Sequence, residues 1–121
     1  PYDELGILQS ELFRSVRLVV DTGMHYKRWT REEAMDYMKS ITGMSDTEVR
    51  VEIERYIVWP GQALSYKVGM IKMLELREKA KQELGDQFNI KDFHSAVLDH
   101  GNPPLFIVEK MIDKMISDAK S

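Results

Sequence analysis

Residues 17 to 25, RLVVDTGMH, set three ionisable side chains into an apolar stretch: Arg17, Asp21 and His25. Four residues separate Arg17 from Asp21 and Asp21 from His25, so on a helix all three share one face. Glu11 and Arg14 extend that line towards the N-terminus. Val16, Leu18, Val19 and Val20 fill most other directions around the axis, and a helix apolar nearly all round is a buried one. The polar seam must therefore find partners inside protein or line a cavity, because an unpaired buried charge is very costly. Two readings fit. One is structural, an Arg17–Asp21 ion pair at a helix interface. The other is functional, with Arg17 and Asp21 as a rigid shell that aims His25 into a cleft. Asp21 and His25 also have the spacing of two metal ligands on one face, but two ligands without a third make a weak site.

A second concentration lies in ERYIVWPGQALSYKVG, residues 54 to 69. Pro60-Gly61 sits between two strongly helical segments and turns the chain there, since proline lacks the donor and restricts the residue before it. Arg55, Tyr56, Gln62 and Tyr66 gather around the turn as hydrogen-bonding groups on otherwise apolar helices. Tyr56, Trp59 and Tyr66 read either as core aromatics with satisfied polar tips or as working groups. In the second case Tyr56 or Tyr66 donates to a developing oxyanion while Arg55 or Gln62 holds substrate. His94 reads as a core or capping histidine, and His100 as a helix C-terminus, where a cationic ring is favoured. The chain has no HExxH, no glycine-rich phosphate loop and no serine elbow.

The elements that position these residues are helices. Leu5, Leu8, Leu12, Val16, Val19 and Val20 repeat at the spacing of one helical face over residues 3 to 24, with Gly23 marking the end. Thr30 with Glu33, and Ser45 with Glu48, are capping boxes that open helices running to about Ile41 and Val58. A long helix from Gln62 to Leu84 closes on Gly85. Asn89 with Asp92 caps a short fifth helix, GNPP breaks the chain, and Leu105 to Ala119 forms a sixth on Val108, Met111, Ile112 and Met115. No alternating strand pattern occurs. The expectation is an all-α fold of about six helices in an irregular bundle, one helical region over residues 1 to 121.

Bulk properties narrow the partners. Among 121 residues, 43% are apolar and 31% charged, the balance of an ordinary globular protein. Seventeen basic against twenty acidic residues leave a net charge of −3, with no Lys/Arg run to attract nucleic acid. Zero cysteines exclude a disulfide scaffold and any thiolate zinc site. No apolar run approaches the length of a membrane span. The chain opens Pro1-Tyr2-Asp3 without Met, which fits removal of Met before Pro or a start inside a larger protein.

Three stretches carry a resemblance: SELFRSVRLVVDTGMHYKRWTREEAMDYM, RYIVWPGQALSYKVGMIKMLELREKA and LGDQFNIKDFHSAVLDHGNPPL. They resemble the C-terminal part of the bacterial family called domain of unknown function 885, over essentially the whole chain. The resemblance implies a large α-helical protein similar to gluzincin-type zinc metallopeptidases, with an HExxPGHH-like motif and an EGWALY-like segment upstream. Neither element occurs in these residues. On this reading the chain is a C-terminal fragment of a metallopeptidase-like domain. It holds no metal ligand itself, and zinc is expected in the full-length protein. The family's DTG-x-H histidine falls on His25, and its RY…PGQALxYK residues fall on Arg55, Tyr56, Gln62 and Tyr66. The resemblance then implies that His25 and Tyr66 contact the substrate carbonyl of a peptide or amide, with Arg17 and Asp21 as the supporting shell. The alternative is a non-catalytic helical binding or assembly module. Either way a fragment exposes apolar faces and is expected to self-associate. The compartment, bacterial cell envelope or cytoplasm, stays open.

Overall fold

The structure, a computed structural model, describes residues 2–121. It is all-α. Six α-helices run in order: α1 Tyr2–His25, α2 Arg31–Thr42, α3 Asp46–Val58, α4 Gln62–Leu84, α5 Ile90–Leu98 and α6 Leu105–Lys120, with a 3-10 turn at Gly85–Gln87. No strand occurs among the described residues.

Local chemistry sets most of the boundaries. Both expected capping boxes form. The Glu33 N–H donates to Thr30 Oγ1 at 3.1 Å while the Thr30 N–H donates to Glu33 Oε2 at 2.7 Å. Ser45 and Glu48 make the same reciprocal pair at 3.4 and 3.0 Å. These bonds satisfy amide donors that a helix start leaves open. They also hold both glutamates below the usual carboxylate range, through the backbone and side-chain bonds from Thr30 and Ser45. Gly43 stops α2 in the left-handed region at φ 67°, its N–H donating to the Lys39 carbonyl. At α5 the Asn89 side chain alone caps, accepting from the Lys91 N–H at 2.9 Å.

The chain divides into two compact units, Pro1–Val68 and Gly69–Ser121, with the boundary inside α4. In the first, Val16 and Val20 of α1 pack with Ala34 and Met38 of α2, Val49, Ile53 and Tyr56 of α3, and Ala63 at the start of α4. The core residues of each helix lie three or four apart, the repeat that puts side chains on one stripe. In the second, Leu76, Ala80 and Leu84 face Val108, Ile112 and Ile116, with Phe93 of α5 completing the cluster. Lys72–Glu109, Lys79–Asp113 and Glu83–Lys120 pair in the same order along both helices. Within this unit α4 and α6 therefore run alongside in the same direction.

Two expectations change. The apolar face of α1 is buried only in its second half: Val16 and Val20 enter the core, whereas Leu5, Leu8 and Leu12 are exposed. Periodicity identifies an apolar face, but burial needs a neighbour, and within the first unit none covers that half. Gly23 also lies inside α1 rather than at its end. Its reason is packing, because the Trp29 indole sits where a side chain would be. A Cβ built on Gly23 would stand 2.3 Å from Trp29 Cε3. Trp29 in turn packs against Tyr37 at 5.3 Å between ring centroids. Gly23→Ala forces Trp29 out of this seat, and the expected loss is about 2 kcal/mol despite alanine's better helix propensity. Chemical denaturation measures it, and a variant as stable as the parent would contradict this packing.

Candidate functional site

The seam on α1 is buried where it matters. Arg17 is 5% exposed and Asp21 1%. The two do not pair with each other. Asp21 reaches across to the start of α4, where Oδ1 accepts from the Gly61 N–H at 3.0 Å and Oδ2 from the Leu64 N–H at 3.2 Å. Pro60-Gly61 makes this possible, with Gly61 at φ 83°, a conformation glycine adopts without strain. Asp21 thus caps α4 from another helix. A carboxylate suits that position because helix N-termini carry unsatisfied donors and a positive dipole end. The expected Arg17–Asp21 ion pair is replaced by something stronger for the acid, two backbone donors that have no other partner.

Arg17 is left to other groups. Its Nη2 donates to Gln62 Oε1 at 3.1 Å. Its guanidinium carbon lies 4.8 Å from the Tyr66 ring centroid, 5.3 Å from Tyr56 and 5.5 Å from Phe13. Three π-faces stabilise a desolvated cation. Among the described residues no carboxylate lies within the 4 Å of an ion pair, and the buried Nε–H has no acceptor. Arg14 stands over the same Tyr66 ring at 5.0 Å, and Gln62 Nε2 makes a long 3.5 Å contact to the Tyr66 hydroxyl. Tyr66 itself is 47% exposed. Deeper along this strip, Lys67 pairs with Glu11, so the remaining charge beside Tyr66 is positive.

Further along α1, His25 Nε2 lies 2.9 Å from the Tyr56 carbonyl and 3.6 Å from Asp21 Oδ1. A carbonyl only accepts, so Nε2 is the donor of this bond. Its side chain is about a third exposed. Position 25 is eight residues beyond position 17, about 12 Å along the axis at 1.5 Å per residue. The structure thus brings Arg17, Gln62 and Tyr66 together at one end of the seam and His25 with Asp21 and the Tyr56 carbonyl at the other.

Tyr56 and Arg55 are tied to Glu52, which accepts from the Tyr56 hydroxyl and, at 2.6 Å, from Arg55 Nη2. Burial, then the bond to Glu52, pushes the Tyr56 hydroxyl well above the usual phenol range. Its proton is held inside, so Tyr56 is a structural aromatic whose contribution to the seam is its ring and its carbonyl. Trp59, by contrast, is exposed, so the three aromatics of this stretch part company. Glu52 escaped the sequence reading, although its three- and four-residue spacing to Arg55 and Tyr56 is a visible signal. The Gly61 and Leu64 amides carry no such signal. His94 proves exposed on α5 rather than buried. Among the described residues no three His, Cys, Asp or Glu side chains gather to hold a metal ion, and Asp21 with His25 lacks a third ligand. Among the described residues no helix is long and apolar enough to cross a membrane.

Comparison with known proteins adds two likenesses. The family model described as "Bacterial protein of unknown function (DUF885)" matches residues 1–112. The structure described as "The crystal structure of the putative lipoprotein from Colwellia psychrerythraea" is 52% identical in sequence and superposes over 98% of this chain with a TM-score of 0.95. The match covers 20% of that chain, so the present chain spans about a fifth of its length. No curated protein matches.

The cap on α4 sets a stability test. Asp21→Ala leaves two partly buried amide donors without acceptors and is expected to cost about 2 kcal/mol. Asp21→Asn keeps one acceptor oxygen and should fall between the two. Urea midpoints of the three proteins measure this; equal midpoints would mean that α4 does not depend on Asp21.

Proposed function

The chain belongs to the DUF885 family of bacterial proteins of unknown function, and from that premise we propose that it is the C-terminal helical part of a zinc-dependent hydrolase of peptide or amide bonds. In that protein it supplies substrate and oxyanion contacts, and alone it is inactive. Zinc is expected in the longer protein and not on this chain, whose described residues gather no complete ligand set. The work of these residues is therefore to bind and polarise. The likeness to a chain five times longer, described as a "putative lipoprotein", supports a parent at the bacterial cell envelope.

One observation carries the reading: a buried guanidinium without a carboxylate partner among the described residues stands beside Tyr66, which is about half exposed. A structural cation is normally paired by a carboxylate. Arg17 has only an amide oxygen and aromatic faces, so among the described residues no carboxylate neutralises its charge. Tyr66 can donate to oxygen developing negative charge, with Arg14 and Arg17 biasing the site towards an anion. About 12 Å separates this end from His25, or three to four residues of extended peptide. Tyr66 and His25 therefore serve different carbonyls: Tyr66 the reacting one, His25 a binding contact along the substrate.

In the full-length, metal-loaded protein, Tyr66→Phe is expected to lower kcat about a hundredfold with little change in KM. His25→Ala is expected to act mainly on KM. Normal turnover in both variants would sink the hydrolase role and leave the binding-module alternative.

The chain in isolation is proposed to self-associate through the exposed stripe of Leu5, Leu8 and Leu12, flanked by Tyr2 and Ile7. Sedimentation at high concentration should show a dimer or larger species that Leu8→Glu returns to monomer. A well-behaved monomer of the unaltered chain would overturn this.

A further inference from the structure

The second unit holds a cation that nothing in the chain answers. Arg77, on α4, has its Nε–H buried without an acceptor. Among the described residues it enters no ion pair, unlike Lys72 and Lys79 on the same helix, which both reach carboxylates on α6. It lines a cavity of about 260 Å³ between α4 and α5, whose other walls include Met73, Leu74, Phe93 and Val97, with His94 also lining it. The walls are mostly apolar and three-sided in chemistry: thioether, branched aliphatic and aromatic. The polar contribution comes from one guanidinium and one imidazole. No acidic residue lines the cavity.

We propose that this cavity binds a small carboxylate with a short apolar tail, the acid on Arg77 and the tail among Met73, Leu74, Phe93 and Val97. The volume lies just below the range of pockets for drug-sized molecules, so the ligand is of the size of a six-carbon acid rather than a long-chain lipid. The charge selects the head group. A guanidinium pairs with a carboxylate through charge-assisted bonds about twice as strong as neutral ones, and the terminal nitrogens of Arg77, rather than its buried Nε–H, would present the donors. The walls select the tail, because methionine side chains adapt to irregular apolar shapes and remain favourable against an aromatic ring. The site lies wholly within the second unit. It makes no use of His25, Tyr66 or the seam, and it stands whether or not the hydrolase reading does.

The test uses the intact 121-residue chain with hexanoate, and hexanamide as the uncharged match. Hexanoate should shift the Arg77 Nε–H, His94 ring and Met73 methyl resonances saturably, with at least tenfold tighter binding than hexanamide. Arg77→Met should abolish the preference for the acid while the melting temperature is kept or raised, since an unpaired buried donor is removed. Val97→Phe, which fills the cavity, should weaken both ligands. Equal binding of acid and amide, shifts outside the cavity, or no saturable shift with either would each overturn the proposal. The acid–amide comparison needs no variant, so it decides the matter even where a substitution fails to fold.

Discussion

The first unit depends on a single carboxylate placed where backbone donors are unavoidable. A helix cannot satisfy its own first amides, and α4 begins at a proline-glycine turn with no side chain of its own to cap it. Asp21 fills that role from α1 through Gly61 and Leu64. Asp21 is buried and the two amides are partly so, and the bonds offset the desolvation of the carboxylate. The bond fixes the direction in which α4 leaves α3, and hence where Gln62 and Tyr66 stand relative to Arg17. It also places a negative charge beside His25 and the Tyr56 carbonyl without committing that charge to either.

From that cap the remaining electrostatics of the seam follow by elimination. Asp21 is occupied, so Arg17 must be stabilised otherwise, and it is, by three aromatic faces and one amide oxygen. Tyr56 gives its hydroxyl to Glu52 and its ring to Arg17, so it serves two neighbours without offering a hydroxyl to solvent. What is left partly free is Tyr66, about half exposed and held only by a long contact from Gln62, and the His25 side chain, about a third exposed. These are the groups on which the functional reading rests. The second unit is built more simply, from two parallel stripes four residues apart and a ladder of surface ion pairs. Such pairs contribute little individually, so its stability comes from Leu76, Ala80, Leu84, Val108, Ile112 and Ile116.

The amino-acid sequence alone determined the helices, because the signals that set them are local. Thr30 with Glu33, Ser45 with Glu48, Asn89 and the Pro60-Gly61 turn each act within four residues, and each acts where the sequence places it. The sequence also marked two concentrations, Arg17, Asp21 and His25 on one helix and Arg55, Tyr56, Gln62 and Tyr66 around the Pro60-Gly61 turn, which the family resemblance joined. Tertiary structure alone decided who binds whom. Nothing in residues 17 to 25 distinguishes an Asp21 that pairs with Arg17 from one that caps a helix forty residues later, because the competing donors are backbone amides that every residue carries. Nor does periodicity distinguish the covered half of α1 from the bare half around Leu8, or reveal that Gly23 makes room for Trp29. Those outcomes depend on which surfaces meet, and a one-dimensional pattern does not contain that.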